Sequence, residues 1–239
     1  MAGKYFSFSD VLSYGWRVMK ANLGFFVGLG LLWFIITYTP AIINMVLPYL
    51  HLPRPTYMVL YITITILSWV IGIVLSIGIK KIALSFCDER KPTIGTLFDA
   101  WDCFWRYLGT AILYGLIVLG GLILLIIPGI IWAIKYSLCF YFVIDKGLDP
   151  IEALKASNRT TMGVKWELFA LAIVCMSITF LGLLCLIVGI FAAYPVVMVA
   201  NALVYRQLMA QTPQLAEFGI ASPEIQPDPN RVPLPDRQE

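Results

Sequence analysis

At 239 residues and 26.8 kDa the chain is 60% hydrophobic and only 13% charged, with a mean hydropathy of +0.84, whereas soluble proteins carry about a quarter charged residues. It therefore reads as an all-α integral membrane protein, which excludes soluble enzymes and disordered regulators. A net charge of +3 leaves no basic face for phosphodiester backbones, so no nucleic-acid partner is expected.

In chain order, Met1 to Asp10 holds no apolar stretch before a cleavage site, and no removed signal peptide is expected. Leu12, Trp16, Met19 and Leu23 then recur at helical spacing, with Asp10, Arg17 and Lys20 opposite, which predicts an amphipathic interfacial helix. Four stretches long enough to cross a membrane follow, since a crossing needs about 20 apolar residues. Residues 21–53 carry no charge but are interrupted by Pro40 and Pro48, and residues 55–79 give a second span. Residues 107–144, with only Lys135 charged, and residues 168–205, with no charge, each run to 38 residues. That length suits two helices of about 18 residues, so each is read as a hairpin, with a re-entrant segment as the alternative. Pro128-Gly129 is expected to punctuate the first hairpin and Gly182 or Gly189 the second. Six spans result.

Before the first hairpin, Leu97, Trp101, Phe104, Trp105 and Leu108 form a second stripe, with Asp99, Asp102 and Arg106 opposite. Before the second, Asp149-Pro150-Ile151-Glu152 opens a third segment running to Lys165, in which aspartate caps, proline takes the first helical position and glutamate reaches back. The predicted architecture is three parallel repeats of interfacial amphipathic helix plus transmembrane hairpin, at about 7–88, 92–145 and 149–206. Asp88 and Asp145 both close their units, and Gly129-Ile130 recurs as Gly189-Ile190, with alanine at 133 and 193. Residues 207–239 are read as a disordered proline-rich cytoplasmic tail, solvated or serving as a partner-binding arm.

Orientation follows from the basic residues. All seventeen Lys and Arg except Arg54 and Lys135 lie on the side of the two termini, which puts both termini in the cytoplasm and the protein in a bacterial or archaeal cytoplasmic membrane.

The run from Pro128 to Trp166 contains Pro128-Gly129-Ile130, then Lys135-Tyr136-Ser137-Leu138, then Gly147-Leu148-Asp149-Pro150-Ile151-Glu152-Ala153-Leu154. It resembles poorly characterised prokaryotic multispan membrane proteins related to the membrane domain of membrane-anchored glycerophosphodiester phosphodiesterases. Asn158, where that family often has tryptophan, is a departure. The resemblance implies an accessory or stand-alone membrane module. It does not imply phosphodiester hydrolysis, because that activity belongs to a separate barrel-shaped domain for which no residues are left.

Few residues offer chemistry. Lys135 is the only formal charge inside a predicted span; it either holds an anion or lipid headgroup or snorkels toward the interface. Asn44, Asn201 and Ser137 are expected to make interhelical hydrogen bonds. Trp16, Trp101, Trp105 and Trp166 are expected as interfacial anchors. With His51 the only histidine and no Cys-x-x-Cys among five cysteines, no metal site, no cofactor and no catalytic constellation are expected. The predicted function is a non-catalytic multispan module that organises membrane lipids or a protein partner. The alternative is a transporter or lipid-handling protein with an anionic ligand near Lys135.

Overall fold

The computed structural model describes residues 6–50, 53–90, 92–97, 101–184 and 186–220, and only the backbone of 50, 94, 97, 186–188 and 190. In a hydrocarbon core every backbone N–H must find its partner within its own segment, which makes long apolar runs helical. The α-helices are α1 (Phe8–Ala21), α2 (Leu23–Val46), α3 (Arg54–Cys87), α4 (Phe104–Leu124), α5 (Ile126–Lys135), α6 (Cys139–Lys146), α7 (Pro150–Thr161), α8 (Lys165–Leu184) and α9 (Leu186–Ala210). No strand occurs among the described residues. Five helical stretches are long and apolar enough to cross a membrane: Leu23–Tyr49, Arg54–Cys87, Trp101–Leu124, Ile126–Lys146 and Lys165–Leu184.

Helix α2 passes through Pro40 and ends in a short 3-10 turn, Leu47–Leu50, that contains Pro48. The first hairpin turns one step earlier than predicted. Leu125 alone is extended (φ −167°, ψ 149°) between α4 and α5, and Pro128-Gly129 falls in the first turn of α5, where the missing proline N–H has no intrahelical partner to lose. The glycine serves packing instead of turning. A Cβ on Gly121 would come within 2.8 Å of Gly129 Cα, so the two strokes of the hairpin meet backbone to backbone. The second hairpin repeats this contact, since a Cβ on Gly182 would come within 2.8 Å of Gly189 O and 2.9 Å of Ala193 Cβ. Its connecting Cys185 lies outside the described residues.

The three predicted interfacial helices meet different fates. Helix α1 forms, with Ser7 Oγ accepting from Asp10 N at 3.5 Å, but its buried face is Val11, Gly15 and Met19 rather than the stripe containing Leu12 and Trp16. That face packs on α9 so tightly that a Cβ on Gly15 would sit 2.7 Å from Val196 O. The second helix does not form as a separate element. Ile94–Leu97 and Trp101–Cys103 are short 3-10 turns and Phe104 to Leu108 already belong to α4, because a continuous i to i−4 ladder into the span satisfies more backbone groups than a break would. The side chain of Leu97, assigned to the second stripe, and Asp99, assigned opposite it, lie outside the described residues. The third, α7, forms with one face buried, where Ala153, Ala156, Ser157, Thr160 and Thr161 are all 0% exposed. Its other face stays at the surface, with Ile151 60% exposed and Glu152 and Lys155 exposed beside it.

Ends of this core are set by local chemistry. Gly147, at φ 63°, ends α6 with its N–H on Val143 O at 3.1 Å, the left-handed cap that glycine adopts without strain. Asp149 occupies the N-cap position of α7 and Pro150 its first turn, as predicted, but the Asp149 side chain makes no cap bond. Its carboxylate instead faces Arg106 Nε at 3.4 Å.

The folded chain also does not stop at Arg206. Helix α9 continues to Ala210 and a 3-10 turn follows at Pro213–Phe218. Thr212, Leu215 and Ile220 are buried, and Arg159 of α7 holds Glu217 at 3.0 Å. The boundary at 206/207 is thus corrected: prolines broke the helix signal, but the apolar residues between them dock on α7. The rest of the predicted tail, 221–239, lies outside the described residues.

Candidate functional site

The strongest constellation joins the ends of three helices. Asp88 caps α3, Asp145 is the penultimate residue of α6, and Arg206 lies in the last turns of α9. Arg206 grips Asp145 with both terminal nitrogens, Nη1 to Oδ2 at 2.7 Å and Nη2 to Oδ1 at 2.8 Å, while Nη2 also donates to Asp88 Oδ2 at 2.7 Å. Tyr205 OH adds a bond to Asp145 Oδ2 at 3.0 Å, and Lys146 Nζ lies 3.4 Å from the same oxygen. Side-chain exposure is only 19% for Arg206 and 13% for Asp145. A carboxylate at a helix C-terminus meets the negative end of the dipole. One bidentate guanidinium offsets that for two helices at once. With both Asp145 oxygens filled, the cluster is built to hold elements together.

Lys135 occupies a break, where α5 ends and Tyr136 to Leu138 separate it from α6. Its carbonyl has lost its helical partner and takes two hydroxyls from α7 instead, Ser157 Oγ and Thr161 Oγ1, each at 3.0 Å. Its ammonium lies 5.0 Å from the centre of the Tyr136 ring. The polar groups that converge on this residue therefore address its backbone and not its charge. Of the predicted interhelical residues, Ser137 Oγ donates to Ile134 O at 2.8 Å and Asn201 Nδ2 to Val197 O at 2.9 Å, both local bonds. Asn44 Oδ1 is buried without a partner. The predicted anchors Trp16, Trp101, Trp105 and Trp166 are exposed by 45%, 62%, 78% and 79%, and Lys20 sits 5.3 Å over the Trp16 ring.

A second lysine was hidden in the sequence at the start of the charged segment from Lys80 to Arg106. Lys80 points into the bundle, where Nζ donates to Tyr107 OH at 3.1 Å and lies 5.5 and 5.6 Å from the Tyr107 and Phe140 ring centres. Outside the spans, Tyr14 of α1 donates to Phe86 O at 2.9 Å. Burial, reinforced by the neighbouring Cys87 and Glu89, pushes the Tyr14 phenol up to about 12. Among the described residues no group of three His, Cys, Asp or Glu side chains could hold a metal ion.

Comparison with known proteins places the chain near others whose roles are equally open. It is 28% identical over 136 residues to uncharacterized proteins of Mycobacterium bovis and Mycobacterium tuberculosis, a stretch covering 55% of this chain and 40% of each relative. No family model and no solved structure matches.

Proposed function

We propose that this chain is a non-catalytic multispan membrane module that organises lipid or protein partners in a bacterial or archaeal cytoplasmic membrane. On this reading α9 is the sixth span, both termini are cytoplasmic, and the three hairpins are parallel repeats. The observation that carries the proposal is the use of the polar side chains. Arg206, Asp88 and Asp145 tie the three hairpin ends to one point, and Ser157 and Thr161 close a helix break. Such groups fix a scaffold; a conduit would need them free to meet a substrate. The matched glycine contacts, Gly121 on Gly129 and Gly182 on Gly189, support the repeat relation between the second and third units. The alternative of transport at Lys135 has less support, because the hydroxyls near it serve its carbonyl.

Affinity purification of the full chain in mild detergent, with mass spectrometry of proteins and lipids, tests the reading. A reproducible stoichiometric partner or lipid set is expected, and a protein that purifies alone and lipid-free would overturn it. Thiol labelling in cells tests the topology: Lys155→Cys is expected to react only from the cytoplasm and Arg54→Cys only from outside.

A further inference from the structure

Lys80 lies seven residues before the end of α3, about 10 Å along the helix. Its ammonium can only donate, so the Tyr107 oxygen accepts the 3.1 Å bond and the phenol proton is left over. Among the described residues no acceptor takes that proton, although Tyr107 is only 7% exposed. The other bond of Lys80, to Ser76 O, is 3.5 Å long. Neither is there a counter-ion. Arg106, Lys146, Arg159 and Arg206 each lie within 4.0 Å of a carboxylate, whereas among the described residues Lys80 has none. The Phe140 ring, its centre 5.6 Å from the ammonium, favours a cation there. Two donors, one charged, thus meet where, beyond the Tyr107 oxygen and Ser76 O, no described group accepts from them. Buried donors without acceptors are rare in native proteins.

We propose that Lys80 and Tyr107 bind a phosphate group, either the phosphodiester of a membrane lipid or a free phosphate, through one oxygen that accepts from both Nζ and the phenol. Depth favours a phosphate over other anions. Tyr107 is two residues beyond Trp105, and Trp101 and Trp105 are 62% and 78% exposed, as aromatic side chains at headgroup level are. Lys80 itself is partly exposed, which leaves a way in. The proposal deepens the reading of the chain as a lipid-organising module, yet its test needs no partner: loss of co-purifying proteins would leave this binding intact.

The test uses the full chain in detergent, titrated with phosphatidylglycerol and followed by native mass spectrometry, with inorganic phosphate as competitor. The wild type is expected to retain one phosphatidylglycerol that Lys80→Met loses. Tyr107→Phe should weaken retention about tenfold, the size of one charge-assisted hydrogen bond, and Lys80→Arg should keep it. Competition by inorganic phosphate would assign the site to the free anion, and resistance to it would assign the site to the lipid. Should Lys80→Met lose its cooperative melting, Tyr107→Phe alone carries the test. Retention of the lipid at wild-type stoichiometry and affinity by every folded variant would mean that water satisfies the two donors, and would overturn the proposal.

Discussion

The two ends of α3 belong to different environments. From Met58 to Trp69 the helix exposes large apolar side chains, with Val59 at 64% and Trp69 at 74%, while from Val74 to Leu84 it is buried, with Ile77 and Ile82 at 0%. The same division runs through the molecule. The turn between α4 and α5 leaves Ile123 to Ile127 each at least 69% exposed, whereas α6, α7 and the second half of α9 enclose Phe142, Ala156 and Tyr205 almost completely. In lipid there is no hydrophobic gain from covering one apolar helix with another. The half that holds the α4–α5 turn can therefore stay open, and the specific, close-packed and ion-paired contacts gather in the opposite half. Stability should accordingly be concentrated at that end.

The largest effect expected from this difference is at Arg206. Arg206→Met leaves two carboxylates with no guanidinium at partly buried helix ends, and should cost about 3 kcal/mol, the low end for a broken buried pair. Thermal unfolding followed by tryptophan fluorescence in detergent would measure it, with partial recovery expected when Asp88→Asn and Asp145→Asn are added. Ile123→Val at the α4–α5 turn serves as the contrast, and a shift as large as that of Arg206→Met would break the division into halves.

Next comes the seat of α1. Gly15→Ala places a methyl group 2.7 Å from a backbone carbonyl of α9 and should destabilise by about 1–3 kcal/mol, as overpacking does. Gly24→Ala, with nothing within 4 Å, should be neutral or stabilising by about 0.5–1 kcal/mol. Equal effects at the two positions would show that α1 is not held against α9.

A comparable loss is expected at the α5–α6 break. Thr161→Val together with Ser157→Ala removes both hydroxyls from Lys135 O and should cost about 1–3 kcal/mol for one stranded carbonyl. Hydrogen exchange should rise at Tyr136 to Cys139 and stay unchanged in α2. Exchange that rises evenly along the chain would argue against a local role for these hydroxyls.

The smallest effect concerns Tyr14. Its folded-state pKa is raised from 10.0 to about 12, so the folded state holds the proton more tightly than the unfolded chain. The contribution is complete below pH 10 and is lost as the pH rises through about 12. Tyr14→Phe should flatten that alkaline slope and cost about 1 kcal/mol at neutral pH. A wild-type slope that persists in the variant would assign the titration to another group.

Much of the apolar half was legible in the chain. Charge-free runs located the five helices long and apolar enough to cross a membrane, because length and polarity are all that lipid asks of a span. Glycine signals were legible in kind but not in use: Pro128-Gly129 read as a turn, and Gly129 is instead a packing partner of Gly121. Asp88 and Asp145 were visible as matching unit ends. Nothing local revealed that Arg206 binds both, since the partners lie 118 and 61 residues away.

What composition and hydropathy determined by themselves is that the chain is helical and apolar enough to enter a membrane, for any such run must satisfy its own backbone. Tertiary structure alone decided which faces are inside. Val11 rather than Leu12 turns inward on α1, Ser157 and Thr161 reach a broken helix, and Lys80 rather than Lys135 brings its charge beside a phenol whose proton no described group accepts. Each of these depends on which helices become neighbours, and in an environment where every face is apolar the pattern along one helix carries little record of its partner.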